Sequence, residues 1–114
     1  MPLSLPVALT DEFLERWVVA DPQTQFWAPL GPLYAAGKYA EAADQGRDLI
    51  KAHPEYHGLI YNVACCESLA GRTADAIEHL RLAIEGSASC ASLAANDSDF
   101  DPIRDDPAFK ELVG

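Results

Sequence analysis

The feature that most constrains the fold is an internal repeat with a spacing of 34 residues. When residues 36–54 are aligned with residues 70–88, identical residues recur and three further positions keep their charge. Repeats of this length are built from two helices around a turn, and each unit buries its apolar face against its neighbours. The identical pairs are Ala36/Ala70, Gly37/Gly71, Ala40/Ala74, Ala42/Ala76, Arg47/Arg81 and Ile50/Ile84, and the similar pairs are Lys38/Arg72, Glu41/Asp75 and Asp44/Glu78.

Each repeat carries the signals of a helix pair. Gly37 and Gly71 are typical of the left-handed residue that ends a helix and lets the chain reverse. In the first repeat we expect the second helix over residues 40–52. In the second repeat, apolar residues at helical spacing predict an opening helix over residues 56–70, and Thr73 is the expected cap of its partner helix.

The first repeat is the less regular of the two. Pro29 and Pro32 lie where its opening helix should be, and each removes a backbone donor and crowds the preceding turn. We therefore expect two short pieces, a turn of helix over residues 23–28 and a second piece from residue 29 or 30 to residue 36. Gly46 stands where the next repeat has Leu80, so the second helix of the first repeat should be the weaker one.

The two ends of the chain are expected to cap the stack. Residues 1–9 contain two prolines and predict an extended arm, and residues 10–20 predict a capping helix. Residues 88–96 look like a truncated opening helix of a third repeat. Asp-Pro pairs at 101–102 and 106–107 predict two further helix starts, each capped by its aspartate. The apolar residues of this tail would cover the open end of the stack: Phe100, Ile103, Phe109 and Leu112.

The charge balance argues against several classes of partner. The chain has 18 acidic and 8 basic residues, which gives a formal net charge of -10. This charge repels phosphate backbones and anionic lipid surfaces, so neither nucleic acid nor a membrane is an expected partner. The surplus carboxylates are interpreted as a solvated surface, and selection for a basic partner is the alternative.

The cysteines and the first residues indicate a cytoplasmic protein. Three cysteines without a CxxC motif predict neither a disulfide framework nor a zinc ribbon. The opening MPLSLPVAL lacks the basic start of a signal peptide, and serine and proline interrupt its apolar run. It is also too short to span a membrane. A reducing, cytoplasmic environment is therefore expected.

Several segments resemble one known family. GKYAEAADQGRDLIKAHP and GRTADAIEHLRLAIE both resemble the second half of a tetratricopeptide repeat, and LIYNVACCESLAG resembles its opening helix. The closing DSDFDPIRDDPAFKEL looks like the end of many small bacterial members. The resemblance implies an all-α fold: a short α-solenoid of antiparallel helix pairs with N- and C-terminal capping helices. It divides a single domain, residues 1–114, into an arm and capping helix (1–22), repeat one (23–56), repeat two (57–90), and a partial third repeat with a C-terminal cap (91–114).

The resemblance also implies a binding surface. In this family the concave face, lined by the first helix of each repeat, holds a peptide or partner segment. Aromatic rings supply contact area and an asparagine amide can pair with an extended backbone. The aromatic residues Trp27 and Tyr34 could instead cover the N-terminal helix. The matching partner-binding positions are Trp27, Tyr34, Tyr61, Asn62, Cys65, Ser68, Ser92 and Asn96.

One subfamily grips the carboxylate tail of chaperones with a clamp of Lys, Asn, Asn, Lys and Arg. Of the five matching positions here only Asn62 agrees, and none is basic, so the chain should not hold a terminal carboxylate in this way. The five positions are Trp27, Gly31, Asn62, Ser92 and Asn96.

No residue pattern predicts catalysis, a metal site or a cofactor. His53 and His57 flank a proline, so they do not share a helical face as zinc-protease histidines do. Cys65 and Cys66 point in different directions on one helix and are interpreted as small buried side chains. The aspartates between 97 and 106 lack the glycine and the closing glutamate of an EF-hand loop.

The sequence therefore predicts a protein-protein interaction module that binds a peptide or partner segment on its concave face and is not an enzyme. Two repeats fall below the usual minimum of three for a stable stack. Either the end segments or self-association must then cover the apolar ends. The alternative function is a self-associating scaffold or subunit, such as a homodimer, whose groove is filled by its own arm or by a second copy.

Overall fold

The computed structural model describes residues 30–114, and this part of the chain is all-helical, without a β-strand. The expected all-α class is confirmed for these residues. The predicted arm over residues 1–9, the capping helix over residues 10–20, the turn of helix over residues 23–28 and Trp27 lie outside the described residues. The helices are α1 (Gly31–Ala35), α2 (Tyr39–Ala52), α3 (His57–Leu69), α4 (Thr73–Gly86), α5 (Ser89–Ala95), a 3₁₀ helix (Ser98–Ile103) and α6 (Pro107–Val113).

Two glycine turns, one between α1 and α2 and one between α3 and α4, have the same geometry. Gly37 and Gly71 have φ angles of 77° and 81°, in the left-handed region that favours glycine. In each turn the glycine N–H donates to the carbonyl three residues back, at 3.1 and 3.2 Å. The next N–H donates to the carbonyl five residues back, at 2.8 Å in both turns. These bonds satisfy the last carbonyls of each helix, so the predicted glycine turns are confirmed.

The charged positions shared by the repeats connect one repeat to the next. Arg72 donates to Asp44 at 2.7 Å, and Arg47 lies 3.5 Å from Asp75. The hydrogen bond from Arg72 holds the pKa of Asp44 below its usual value. Both pairs are exposed to solvent, where ion pairs add little stability. These two pairs place charged residues of α2 beside the start of α4.

Helix α3 is the centre of the described core. Residues 58–68 are all buried, and α3 packs against α2, α4 and the 3₁₀ helix. One apolar cluster joins it to α1 and α2, and a second joins it to α4, α5, the 3₁₀ helix and α6. Because α3 is covered on every side, it has no solvent-facing stripe. Its polar side chains are consequently buried as well: Asn62, Glu67 and Ser68.

Gly46 allows α2 to approach α3 closely. A Cβ atom at this position would overlap with Val63 Cγ2 and lie 3.2 Å from Leu30 Cδ1. From the sequence, Gly46 is a weak point because it replaces the apolar Leu80 of the next repeat. In the structure, the side chains of Val63 and Leu30 pack directly on the backbone of Gly46. The first repeat therefore lacks an apolar side chain at this position but has a closer contact between α2 and α3.

The C-terminal tail covers the core, as predicted. Its helix α6 is capped by Asp106, whose carboxylate accepts from the Ala108 N–H at 2.8 Å. This arrangement confirms the second of the two predicted Asp-Pro starts. The apolar side chains of the tail join the cluster that includes α3 and α4: Phe100, Ile103, Phe109 and, partly buried, Leu112.

Two predicted caps are wrong. Asp101 lies inside the 3₁₀ helix and pairs with Arg104 at 3.0 Å. The cap of that helix is Asp97, which accepts from the Asp99 N–H at 2.9 Å, because the helix begins four residues earlier than expected. Helix α4 begins at Thr73 itself, so this hydroxyl makes no capping hydrogen bond.

Replacing Gly46 by Ala should destabilise the protein, although alanine is the better helix former. Overpacking a tight core costs roughly 1–3 kcal/mol, whereas the gain in helix propensity is about 1 kcal/mol at most. Urea unfolding followed by far-UV circular dichroism measures the difference. Gln45→Ala, an exposed change on the same helix, is the control and should be nearly neutral. Equal stability of Gly46→Ala and the unmodified protein would contradict the close approach.

Candidate interaction face

The predicted binding residues fall into two groups in the structure. Four of them, from α1 and α3, converge on the segment that follows α5, and we call these four the α1/α3 face: Tyr34, Tyr61, Cys65 and Ser68. Ser92 and Asn96 are exposed and lie apart from it, with Asn96 Nδ2 donating to the Ser92 carbonyl at 3.0 Å. Trp27 lies outside the described residues, so its role stays a prediction.

The α1/α3 face holds the start of the 3₁₀ helix through hydroxyl donors. Tyr34 donates to the Asp99 carboxylate, 2.8 Å from Oδ2 and 3.0 Å from Oδ1. Tyr61 donates to Asp97 Oδ2 at 2.9 Å. Ser68 Oγ donates to the backbone carbonyl of Asp99 at 2.7 Å. Hydroxyls from two helices thus hold two carboxylates and one main-chain carbonyl of the same short segment.

An aromatic side chain anchors this segment beside its polar contacts. Phe100 is fully buried and meets the ring of Tyr61 edge to face, with centroids 5.6 Å apart and an angle of 71° between the rings. On its other side Phe100 lies 5.6 Å from the ring of Phe109. Edge-to-face pairs of this kind are favourable beyond the area that they bury. Tyr61 therefore contributes both a hydroxyl donor and an apolar wall.

Arg104 fixes the segment from its own side. Its guanidinium donates to the carbonyl of Ala95 at 2.9 Å and to the carbonyl of Asp97 at 2.7 Å. The same guanidinium lies 5.5 Å from the centre of the Phe109 ring, within the range of a cation–π contact. Arg104 thereby joins the end of α5 to the start of α6 and holds the intervening turn.

The aspartates and Arg104 were not identified as interaction residues from the sequence. Asp97 and Asp99 contact residues that lie 31 to 65 positions away in the chain. A local pattern does not report pairs so far apart. The available signal was the recurrence of hydroxyl side chains on the helices opposite an acidic tail.

Burial affects the ionisation of Tyr61 and the solvation of Asp99 on the α1/α3 face. Desolvation, followed by the nearby Cys65 thiol and the Asp97 carboxylate, raises the pKa of Tyr61 well above its usual value. Its hydroxyl therefore remains a donor throughout the neutral range. Asp99 is only 4% exposed, so its carboxylate depends on protein donors more than on water.

Asn62 is the one predicted binding residue of α3 with open hydrogen-bonding capacity. It is fully buried, and neither its Oδ1 nor its Nδ2 has a hydrogen-bond partner among the described residues. A buried amide without partners costs roughly 1–3 kcal/mol. An extended backbone offers both a donor and an acceptor, which is the pairing that this amide lacks.

A second buried polar pair joins α3 to α4. Glu67 Oε1 lies 2.6 Å from His79 Nδ1, while Glu67 Oε2 has no hydrogen-bond partner among the described residues. A carboxylate in this position can orient an imidazole for metal binding or proton transfer. In residues 30–114, however, neither residue belongs to a cluster of three potential metal ligands. No pattern in the sequence indicated this pair.

One cluster of potential metal ligands occurs in the described part of the chain. Ligand atoms of Cys65, Asp97 and Asp99 all lie within 4.8 Å of one another. Three such donors would leave one position open in a tetrahedral zinc site. Both carboxylates already accept hydrogen bonds from Tyr34 and Tyr61, so an ion would have to replace those contacts.

The cysteines are buried, in agreement with their interpretation as small interior side chains. Burial, reinforced by the carboxylates of Asp99 and Glu67, raises the pKa of the Cys66 thiol to about 12. The thiolate is the nucleophilic form, so Cys66 is a poor nucleophile near neutral pH. The three are Cys65, Cys66 and Cys90.

Comparison with known proteins identifies no relative: no known protein family, curated protein or solved structure matches the chain. Among residues 30–114, no helix is long and apolar enough to cross a membrane.

Tyr34→Phe should destabilise the protein by roughly 1.5–3 kcal/mol, because it removes the hydroxyl that donates to a buried carboxylate. Urea unfolding at neutral pH measures the loss. Tyr39→Phe is the matched control, since the Tyr39 ring packs edge to face on Tyr34 but its hydroxyl makes no hydrogen bond to the described residues. Similar effects of the two changes would argue against the bond to Asp99.

Alkaline pH should weaken the fold through Cys66. The folded pKa of about 12 lies above the usual value of 9.0, so ionisation is easier in the unfolded chain. The contribution to stability is complete below pH 9 and is lost as the pH rises toward 12. Urea unfolding at a series of pH values should show this decline, and Cys66→Ala should reduce its slope. An unchanged slope in that variant would contradict the prediction.

Proposed function

We propose that the protein is a non-catalytic protein-interaction module of the tetratricopeptide type, whose α1/α3 face recognises a polypeptide segment. The 34-residue spacing, the two matching glycine turns and the ion pairs between α2 and α4 support this type of helix stack. The absence of a pattern for catalysis in the sequence is consistent with a binding role.

The observation that carries the proposal is the occupant of the α1/α3 face. The chain's own residues 97–100 lie against α1 and α3, and their recognition uses a main-chain carbonyl, two carboxylates and a buried aromatic ring. These are the groups that a peptide-binding surface contacts in a ligand. The face therefore has the chemistry of peptide recognition, with a segment of the same chain in place of the ligand.

The donors on this face define the ligand that suits it. Tyr34, Tyr61 and Ser68 each offer a neutral hydroxyl, and such donors favour a segment rich in acceptors. The bound segment reads Asp-Ser-Asp-Phe, with acidic side chains two residues apart followed by an aromatic residue. A partner segment with this pattern is the expected ligand of the α1/α3 face.

Self-association is the second candidate, and the same observation favours it. The contacts that residues 97–100 make with α1 and α3 could be made equally well by the tail of a second copy, which is the geometry of a domain-swapped dimer. The bonds would be the same, but they would join two chains. Light scattering over a range of concentrations distinguishes this case, because a swapped dimer doubles the mass.

Peptide binding in trans tests the proposed function. The tethered segment acts at an effective concentration on the order of millimolar, so a free peptide should bind poorly to the unmodified protein. In an opened variant with Asp97→Ala, Asp99→Ala and Phe100→Ala, the tethered segment loses both carboxylates and its aromatic anchor. A labelled peptide of residues 96–104 should then bind saturably in fluorescence anisotropy, at least several-fold more tightly than to the unmodified protein.

The controls separate recognition from general affinity. A peptide with Asn in place of both aspartates of the Asp-Ser-Asp-Phe pattern should bind more weakly, and adding Ser68→Ala to the opened variant should weaken the original peptide. Circular dichroism checks that each variant retains its helical content. Absence of saturable binding to a folded, opened variant would reject the α1/α3 face as a peptide-binding surface.

A further inference from the structure

A groove lies between the end of α2, the start of α3 and the end of α4, away from the α1/α3 face. Its volume is about 380 Å³, and it is open to solvent along one side. Ile50, Ile60 and Leu82 form its apolar floor. Ile60 is only 5% exposed, whereas the other two are partly buried at the edge of the core cluster. We call this surface the α2–α4 groove.

At one wall of the groove, the last residue of α4 approaches α3 closely. A Cβ atom at Gly86 would lie 2.7 Å from His57 Cβ, so the backbone of α4 rests directly on that side chain. Any larger residue at this position would push the two helix ends apart. The backbone of the last turn of α4 therefore forms one wall of the groove, beside an apolar floor that remains accessible.

The rim of the groove is acidic. Glu55, in the turn before α3, and Glu85, in the last turn of α4, are both exposed and line it. Glu85 pairs with Arg81, whereas Glu55 makes no ion pair with the described residues. Neither Lys nor Arg is among the lining residues. With a net charge of -10 on the whole chain, an apolar floor between carboxylates is complementary to an apolar group flanked by positive charge.

We propose that the α2–α4 groove binds a basic polypeptide segment that inserts an apolar side chain between flanking lysines or arginines. Drug-sized ligands need a concave site that encloses most of their surface. This groove is open on one side, which suits a side chain presented by a longer segment. The proposal goes beyond the α1/α3 face, because it involves different residues and a ligand of opposite charge.

The test uses the full chain and a synthetic peptide, acetyl-Lys-Lys-Leu-Phe-Lys-Lys-amide. Titration followed by 15N–1H NMR should give saturable chemical-shift changes confined to the end of α2, the start of α3 and the end of α4. A variant with Glu55→Lys and Glu85→Lys should bind about fivefold or more weakly, since both rim charges are reversed. Both residues are exposed, and Arg81 retains Glu78 as a partner, so the fold should be preserved.

Matched controls separate the groove from general attraction between opposite charges. Asp105→Lys with Glu111→Lys makes the same change in net charge at exposed positions of the tail and should affect binding less than twofold. A peptide with Ala-Ala in place of Leu-Phe should lose saturable binding. Shifts centred on other elements, equal binding of the Ala-Ala peptide or an equal effect of the tail variant would overturn the proposal. Phenethylamine binding as tightly as the peptide would overturn the assignment to a polypeptide.

Discussion

The enclosure of α3 is the constraint on which the rest of the described structure depends. A helix buried on every side needs close neighbours, and Gly46 allows one of them, α2, to approach its backbone. It also needs partners for its buried polar groups, and Ser68 and Tyr61 find theirs in the 3₁₀ helix. The tail is therefore a structural part of the core and, at the same time, the occupant of the α1/α3 face. The contacts proposed for recognition are therefore also contacts that stabilise the fold.

The repeat predicted the parts of the fold that depend on local sequence. The turns at Gly37 and Gly71 and the helix over 57–69 follow from residues close together in the chain, so a pattern of spacing was sufficient. Two predicted caps are wrong because the helix starts are shifted, by one residue at Thr73 and by four residues at Asp101, and the N-cap position moves with the start. The contact between Tyr34 and Asp99 depends on how distant elements pack, and no spacing rule reports it.

The two candidate surfaces differ in the charge that they favour. The α1/α3 face offers hydroxyl donors to an acidic segment. Although the whole chain is acidic, these donors bind the carboxylates of Asp97 and Asp99. The α2–α4 groove has carboxylates around an apolar floor, and its lining contains no lysine or arginine to pair with them. A single chain could thus engage its own tail on one side and a basic segment on the other without competition between them.

The strength of the tail contact comes mainly from its apolar residues. Burial of a large side chain contributes about 1.5–3 kcal/mol, and Phe100, Ile103 and Phe109 are all buried. The Ser68 bond to a main-chain carbonyl contributes about 0.5–1.5 kcal/mol net, and the Tyr34 bond to a carboxylate contributes about 1.5–3 kcal/mol. Together these two bonds contribute less than the three buried apolar side chains, so they select the segment more than they retain it. A partner segment with only the two carboxylates would make the polar contacts but would lack the larger free-energy contribution from burial of an apolar side chain. Under the proposed function, a partner that displaces the tail would need an aromatic residue at the position of Phe100, and this requirement would make the face selective.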